Sequence, residues 1–146
     1  MEYQKLTPVY LEELPDEILL EILTNLEVKD LINCGLVSKK IRAISQIESL
    51  WQKMNLFCKA VPTKFLNMII KKGCKHLCLS GARLEGKLDL MEKSNLKYLD
   101  LSWCTYDEDI VIEELLGSCQ FLKKLSLKGV TISSNMVNRL QDILTK

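Results

Sequence analysis

Apolar residues in the first third of the chain recur at a helical interval. Ile18, Leu19, Ile22, Leu23 and Leu26 fall at i, i+1, i+4, i+5 and i+8, one apolar stripe along a helix. Leu14-Pro15-Asp16-Glu17 just before them reads as a helix start, because proline suits the first turn and carboxylates favour the positive end. Asn25 is the expected end, and Leu20 lies off the stripe. A second helix is predicted from near Asp30, carrying Leu31, Ile32 and Leu36. A third is predicted from Ser38, a good N-cap, with Ile41 and Ile44 inward and Lys39, Lys40 and Arg42 turned to water. The segment closes on Leu50-Trp51. A helix cluster of about 40 residues is marginal alone and needs a partner to complete its core.

The pattern then changes to a repeat. Leu96-x-x-Leu99-x-Leu101-x-x-Cys104 aligns with Leu122-x-x-Leu125-x-Leu127-x-x-Val130. Cys74-x-x-Leu77-x-Leu79-x-x-Ala82 is a further copy, and Trp51-x-x-Met54-x-Leu56 a weaker one. The pivots at positions 54, 77, 99 and 125 are 23, 22 and 26 residues apart. That period belongs to the leucine-rich repeat: a short strand, a turn, a helical return, and leucines that only neighbouring copies can bury. The returns fit. Pro62 to Lys72 puts Phe65, Leu66, Ile69 and Ile70 on one face and ends at Gly73. Asp107 to Leu116 puts Ile110, Ile112, Leu115 and Leu116 inward, Glu113 and Glu114 outward, and ends at Gly117. Ser133 or Ser134 caps a last helix bearing Met136, Val137, Leu140 and Leu144. The middle return, Leu84 to Ser94, is too short for a comparable helix. The fold class expected is α+β with a solenoid: three N-terminal helices, then a short array of about three to four repeats. The expected divisions are a leader over 1–10, the helical motif over 11–52 and the repeats over 53–146.

Charge sharpens that division. Met1 to Trp51 carries nine acidic and five basic residues, and Gln52 to Lys146 ten acidic and fifteen basic, a balance of −4 followed by +5. Two units with different partners are implied. The overall charge is +1, so no global field argues for nucleic acid or a membrane surface, and neither is expected as a partner. The first ten residues hold Glu2, Gln4 and Lys5 and no signal-peptide apolar core. An intracellular protein, cytoplasmic or nuclear, is expected, with reduced thiols at Cys34, Cys58, Cys74, Cys78, Cys104 and Cys119. There is no Cys-x-x-Cys pair, so no metal site and no cofactor is expected.

The helical motif resembles a known family. Leu14-Pro15-Asp16-Glu17-Ile18-Leu19-x-x-Ile22-Leu23-x-x-Leu26, then Asp30-Leu31, Val37-Ser38-Lys39 and Leu50-Trp51, is similar to the F-box, departing from it at Ile41, where tryptophan is common, and at Lys29, where proline often stands. With the repeats, the chain resembles the F-box/leucine-rich-repeat proteins. That resemblance implies a non-catalytic adaptor whose box binds the Skp adaptor of a cullin–RING ubiquitin ligase, while the repeats present a protein substrate or short degron. It implies Leu14, Pro15, Ile18, Leu19, Ile22, Leu26, Leu31 and Val37 as the adaptor-binding residues. A scaffold that binds through box or repeats without ubiquitin transfer is the alternative.

Residues alternating with the buried leucines are expected to face out along a concave sheet. They are Lys53, Asn55 and Phe57; His76, Cys78 and Ser80; Tyr98, Asp100 and Ser102; and Lys124, Ser126 and Lys128. Of these, His76, Tyr98, Asp100, Lys124, Ser126 and Lys128 are the candidate substrate-binding residues. Strands of about five residues would make a patch on the order of 300 Å², well below the roughly 800 Å² per partner of a stable interface. A short peptide is therefore expected, acidic or phosphorylated given the lysines. His76 and Cys78 share a face and invite a thiol–imidazole pair. No second histidine, glycine-rich nucleophile turn or orienting carboxylate accompanies them, so no catalytic residue is assigned. The last strand has no successor, and such an edge favours self-association or a covering partner.

Overall fold

The computed structural model describes residues 8, 10–89 and 93–145. The predicted leader lies outside them except for Pro8 and Tyr10. Two compact units divide between Leu50 and Trp51.

In the first unit a 3-10 turn, Leu11–Glu13, leads into α1 (Asp16–Thr24), α2 (Val28–Cys34) and α3 (Lys39–Ser45), and a second 3-10 turn, Glu48–Leu50, follows. Pro15 is the extended N-cap of α1 and has no side chain to accept an N–H, while Asp16 and Glu17 occupy the first turn. Their carboxylates favour the positive helix end instead. Ser38 caps α3, its hydroxyl accepting the Ile41 N–H at 3.1 Å. The second helix starts at Val28 rather than Asp30, because the Glu27 carbonyl already accepts the Leu31 N–H at 2.9 Å.

The stripe of α1 splits in two. Leu19 and Leu23 join Leu31, Ile41 and Ile44 in the core, while Ile18 and Ile22 stay exposed. Ile41 fills its place at 2 % exposure. Arg42 is exposed and Lys40 partly so, as expected, but both side chains also bond to backbone carbonyls. The Lys40 ammonium donates to the Glu12 and Leu14 carbonyls at 2.9 and 2.8 Å and lies 3.6 Å from Asp16. Arg42 Nε donates to the Gly35 carbonyl at 2.7 Å. Ends of helices leave carbonyls unpaired, and long cations on α3 reach them. A charge-assisted hydrogen bond contributes about 1.5–3 kcal/mol. Lys40→Met should therefore loosen the start of α1, with its amides exchanging about tenfold faster or more in native-state hydrogen exchange.

The second unit contains β1 (Lys53–Asn55), β2 (Ala60–Pro62), α4 (Thr63–Lys71), β3 (His76–Cys78), β4 (Arg83–Glu85), β5 (Tyr98–Asp100), β6 (Thr105–Tyr106), α5 (Asp109–Ser118), β7 (Lys124–Ser126) and α6 (Ser134–Leu144). Four strands form a parallel sheet in the order β1-β3-β5-β7, and a second parallel sheet runs β2-β4-β6. The register pairs Met54, Leu77, Leu99 and Leu125 across the first sheet, so the repeat pivots stack on one another. Cys74, Leu79, Leu96 and Leu101 are wholly buried, and Trp51, Met54 and Leu56 nearly so. Trp51 takes the place of the first repeat leucine, with the Lys72 ammonium 4.9 Å from its ring centroid. Leu125 and Leu127, on and just after the edge strand β7, are only half-buried.

The sequence had not signalled the second sheet. Its strands are short, and only Val61 and Leu84, both buried, mark its inner face. In α5 the inward residue is Val111 at 1 % exposure, whereas Ile110 is 51 % exposed. The helix begins at Asp109 and runs through Gly117 to Ser118, two residues later at each end than predicted, and Cys119 rather than Gly117 ends it. α4 ends at Lys71 with Lys72 as its C-cap, and Gly73 follows with a φ of 86°, the left-handed conformation glycine tolerates. Phe65 is half-buried rather than in the core. Ser133 caps α6, which buries Met136 and Leu140 and leaves Val137 and Leu144 exposed. Part of the middle return, 90–92, lies outside the described residues.

Three cysteines replace apolar residues in this core. Burial pushes the Cys74 thiol from 9.0 up to about 12 and the Cys104 thiol from 9.0 up to about 11, and it raises Cys119 as well. Below pH 9 these thiols are protonated whether folded or unfolded. Above it the unfolded chain ionises first, so stability falls as pH rises toward the folded values. Urea midpoints should drop between pH 9 and 11, and Cys74→Val should reduce the slope.

Candidate functional site

The first unit presents an apolar face. Ile18 and Ile22 stand one turn apart on the outer side of α1, at 43 and 38 % exposure. Ile32 on α2 and Leu36 and Val37 just after it are also exposed, as are Tyr10 and Leu11. Among the sequence-derived adaptor residues, Pro15, Ile18, Ile22 and Val37 are exposed and Leu14 and Leu26 half-buried. Leu19 and Leu31, at 1 and 3 % exposure, lie in the unit's own core and cannot be touched without unfolding it. They support the face from behind. Sequence reasoning missed Leu36, Tyr10 and Leu11. By sequence alone Leu36 falls on a helix that in fact ends at Cys34, Tyr10 falls in the leader, and Leu11, at the start of the helical motif, has no role.

The second unit presents a trough of about 380 Å³ along its four-stranded sheet, lined by polar side chains over a mainly apolar surface. One row across the strands is Lys53, His76, Tyr98 and Lys124, and the next is Asn55, Cys78, Asp100 and Ser126. The His76 and Tyr98 rings stack in the middle, centroids 4.4 Å apart and 17° from parallel, with a lysine on each side. Asp100 is partly occupied, its Oδ1 accepting the Ser102 N–H at 2.9 Å. Asn55 accepts the Phe57 N–H at 3.1 Å in the equivalent turn. The Ser102 and Ser126 hydroxyls are hydrogen-bonded at 2.6 Å. His76, Tyr98, Asp100, Lys124 and Ser126 thus meet in one place. Lys128 does not. Each strand of this sheet is three residues long, so Lys128 and Phe57 fall in the turns beyond. His76 packs on Tyr98, and among the described residues no hydrogen bond joins it to Cys78.

Those turns repeat an unusual backbone. Cys58, Gly81, Trp103 and Gly129 all have positive φ, at 54, 67, 57 and 75°. A tryptophan in this region is strained. Its ring lies over Gly129, where a Cβ would come within 2.3 Å of it, and it is 62 % exposed. Gly129→Ala is expected to destabilise the unit by about 1–3 kcal/mol. Trp103→Gly removes both the strain and the obstacle, so the double variant should recover about half of that loss or more in a double-mutant cycle read by urea unfolding.

An outward apolar face on a small helical unit, and a parallel-strand solenoid with a peptide-sized trough, define a protein built for binding. The F-box-like family matches residues 11–56 and the Leucine Rich Repeat family matches residues 95–120. The chain thus carries an F-box-like domain and a leucine-rich repeat, the combination found in F-box/leucine-rich-repeat proteins. F-box domains typically bind the Skp adaptor of SCF-type ubiquitin ligases, and leucine-rich repeats bind substrate proteins. F-box proteins are in general non-catalytic substrate adaptors.

Proposed function

We propose that this chain is the substrate-recognition subunit of a cullin–RING SCF-type ubiquitin ligase, acting without catalysis of its own in the cytoplasm or nucleus. The exposure of Ile18 and Ile22 beside a complete core of Leu19, Leu23, Leu31, Ile41 and Ile44 carries the reading. Apolar side chains left outside a finished core are what a partner covers. In this reading Pro15, Ile18, Ile22 and Val37 contact the Skp adaptor, with Leu36 added to them and Leu14 and Leu26 at the margin. The target meets His76, Tyr98, Asp100, Lys124 and Ser126. Strands of three residues reduce the sheet patch to about 150 Å², so the segment gripped there is a short degron.

The small size of that patch also favours a second reading, an interaction scaffold that engages partners without ubiquitin transfer. Affinity capture of the tagged chain from cells treated with a proteasome inhibitor separates the two. The adaptor reading expects Skp adaptor and cullin together, with ubiquitin-modified targets that disappear from the Tyr98→Ala, Lys124→Ala variant. Skp adaptor without cullin, or targets unmodified and unchanged by the variant, supports the scaffold instead.

A further inference from the structure

Away from the trough, the second unit holds a larger groove of about 840 Å³ between the approach to β5, the segment before β7, and α6. Lys93, Lys97, Lys123 and Arg139 line it, with Asp142 as the opposing carboxylate among its described lining residues. None of these cations is within 4.0 Å of a carboxylate among the described residues. Lys97 and Lys123 are held side by side by the backbone, the Lys123 N–H donating to the Lys97 carbonyl at 2.7 Å. Like charges on neighbouring backbone segments repel, and among the described residues Asp142 is the one carboxylate in the lining, beyond ion-pair distance of them. Phe121, 56 % exposed, stands in the same lining. Arg139 lies over Gly117 near the C-terminal end of α5, where an added Cβ would sit 3.5 Å from its guanidinium. That position offsets the negative end of the helix, and the lysines then set the sign of the groove.

We infer that this groove binds a phosphorylated segment of a partner protein, at a site separate from the trough. A phosphate brings about two negative charges in one group, so it meets converging cations without ordering several carboxylate side chains. Arg139 offers the planar fork that phosphate oxygens match in pairs, and the lysines add point charges. Phe121 gives an apolar neighbour of the phosphoresidue a surface to pack on. The inference does not depend on the adaptor reading, because it requires neither the Skp adaptor nor ubiquitin transfer.

The test uses the 146-residue chain and fluorescent peptide pools with a fixed central phosphoserine or serine, read by anisotropy. A uridine oligonucleotide and vesicles of phosphatidylcholine with phosphatidylserine are run alongside. The phosphoserine pool should bind at least about tenfold tighter than the serine pool, and Lys97→Gln with Lys123→Gln should remove about tenfold of that affinity. Arg139→Lys should weaken it measurably, because lysine cannot make the paired contact. Lys64→Gln with Lys71→Gln, exposed on α4 and lining neither groove nor trough, should leave it unchanged. If Lys97→Gln impairs folding, Lys93→Gln with Lys123→Gln, both exposed and outside helices and strands, carries the same expectation. Equal binding of the two pools, tighter binding of the oligonucleotide or vesicles, indifference to the groove variants, or equal loss through the α4 variants would each overturn the inference.

Discussion

Placing aspartate at both Ile18 and Ile22 is expected to abolish binding of the Skp adaptor while leaving the helices intact. Burying a fully exposed isoleucine contributes about 1.5–3 kcal/mol, so covering the 43 and 38 % still exposed at these positions is worth about 1–2.5 kcal/mol together, roughly tenfold or more at about 1.4 kcal/mol per factor of ten. Burying two unpaired carboxylates adds to that cost. Because both positions are exposed in the chain by itself, the substitutions should barely change its own stability. Leu19→Ala gives the contrast. Leu19 is 1 % exposed, and truncating a buried leucine costs about 2–5 kcal/mol, enough to unfold a marginal helical unit. Circular dichroism beside a binding titration distinguishes the two: the aspartate variant keeps its helical signal without binding, and the alanine variant loses both. Unimpaired binding by the aspartate variant would move the docking face elsewhere.

The second large effect is expected inside the repeats. Leu79 and Leu101 are wholly buried, each packed between neighbouring copies. Leu79→Ala or Leu101→Ala should cost about 2–5 kcal/mol, a large share of the roughly 5–15 kcal/mol typical of a domain. Leu127 occupies the same place in the last copy and is only half-buried, so Leu127→Ala should cost less than half as much. Urea unfolding of the three variants measures the difference. Equal losses would mean that a cover shields the last repeat in solution, as self-association through the free side of β7 would provide.

How far these features could be read in the sequence depended on whether a residue's role was set locally. The repeat ladder was legible because Leu77, Leu79, Leu99 and Leu101 obey one spacing and one register. The start of α1 and the Ser38 cap were legible because proline, carboxylates and serine act within one turn. The trough followed from strand alternation, and His76, Tyr98, Asp100, Lys124 and Ser126 do line it. Tertiary partners decided the rest. Helical spacing places Ile18 and Leu19 on one stripe, and packing against α3 determines which of them is covered. Lys40 and Arg42 look like solvated charges until the carbonyls of Glu12, Leu14 and Gly35 come within reach. Lys128 and Phe57 left the sheet because its strands are shorter than expected, a property of turn geometry rather than hydrophobic period. The groove between Lys97, Lys123 and Arg139 joins residues far apart in the chain, so no local pattern announces it.

Isothermal titration of the purified chain with purified Skp adaptor tests the central claim most directly. The account predicts a one-to-one complex with a Kd of about 1 µM or tighter, absent from the Ile18→Asp, Ile22→Asp variant and retained by the trough variant Tyr98→Ala, Lys124→Ala. No heat and no complex at adaptor concentrations well above that range, from a chain whose helical signal is intact, would contradict it.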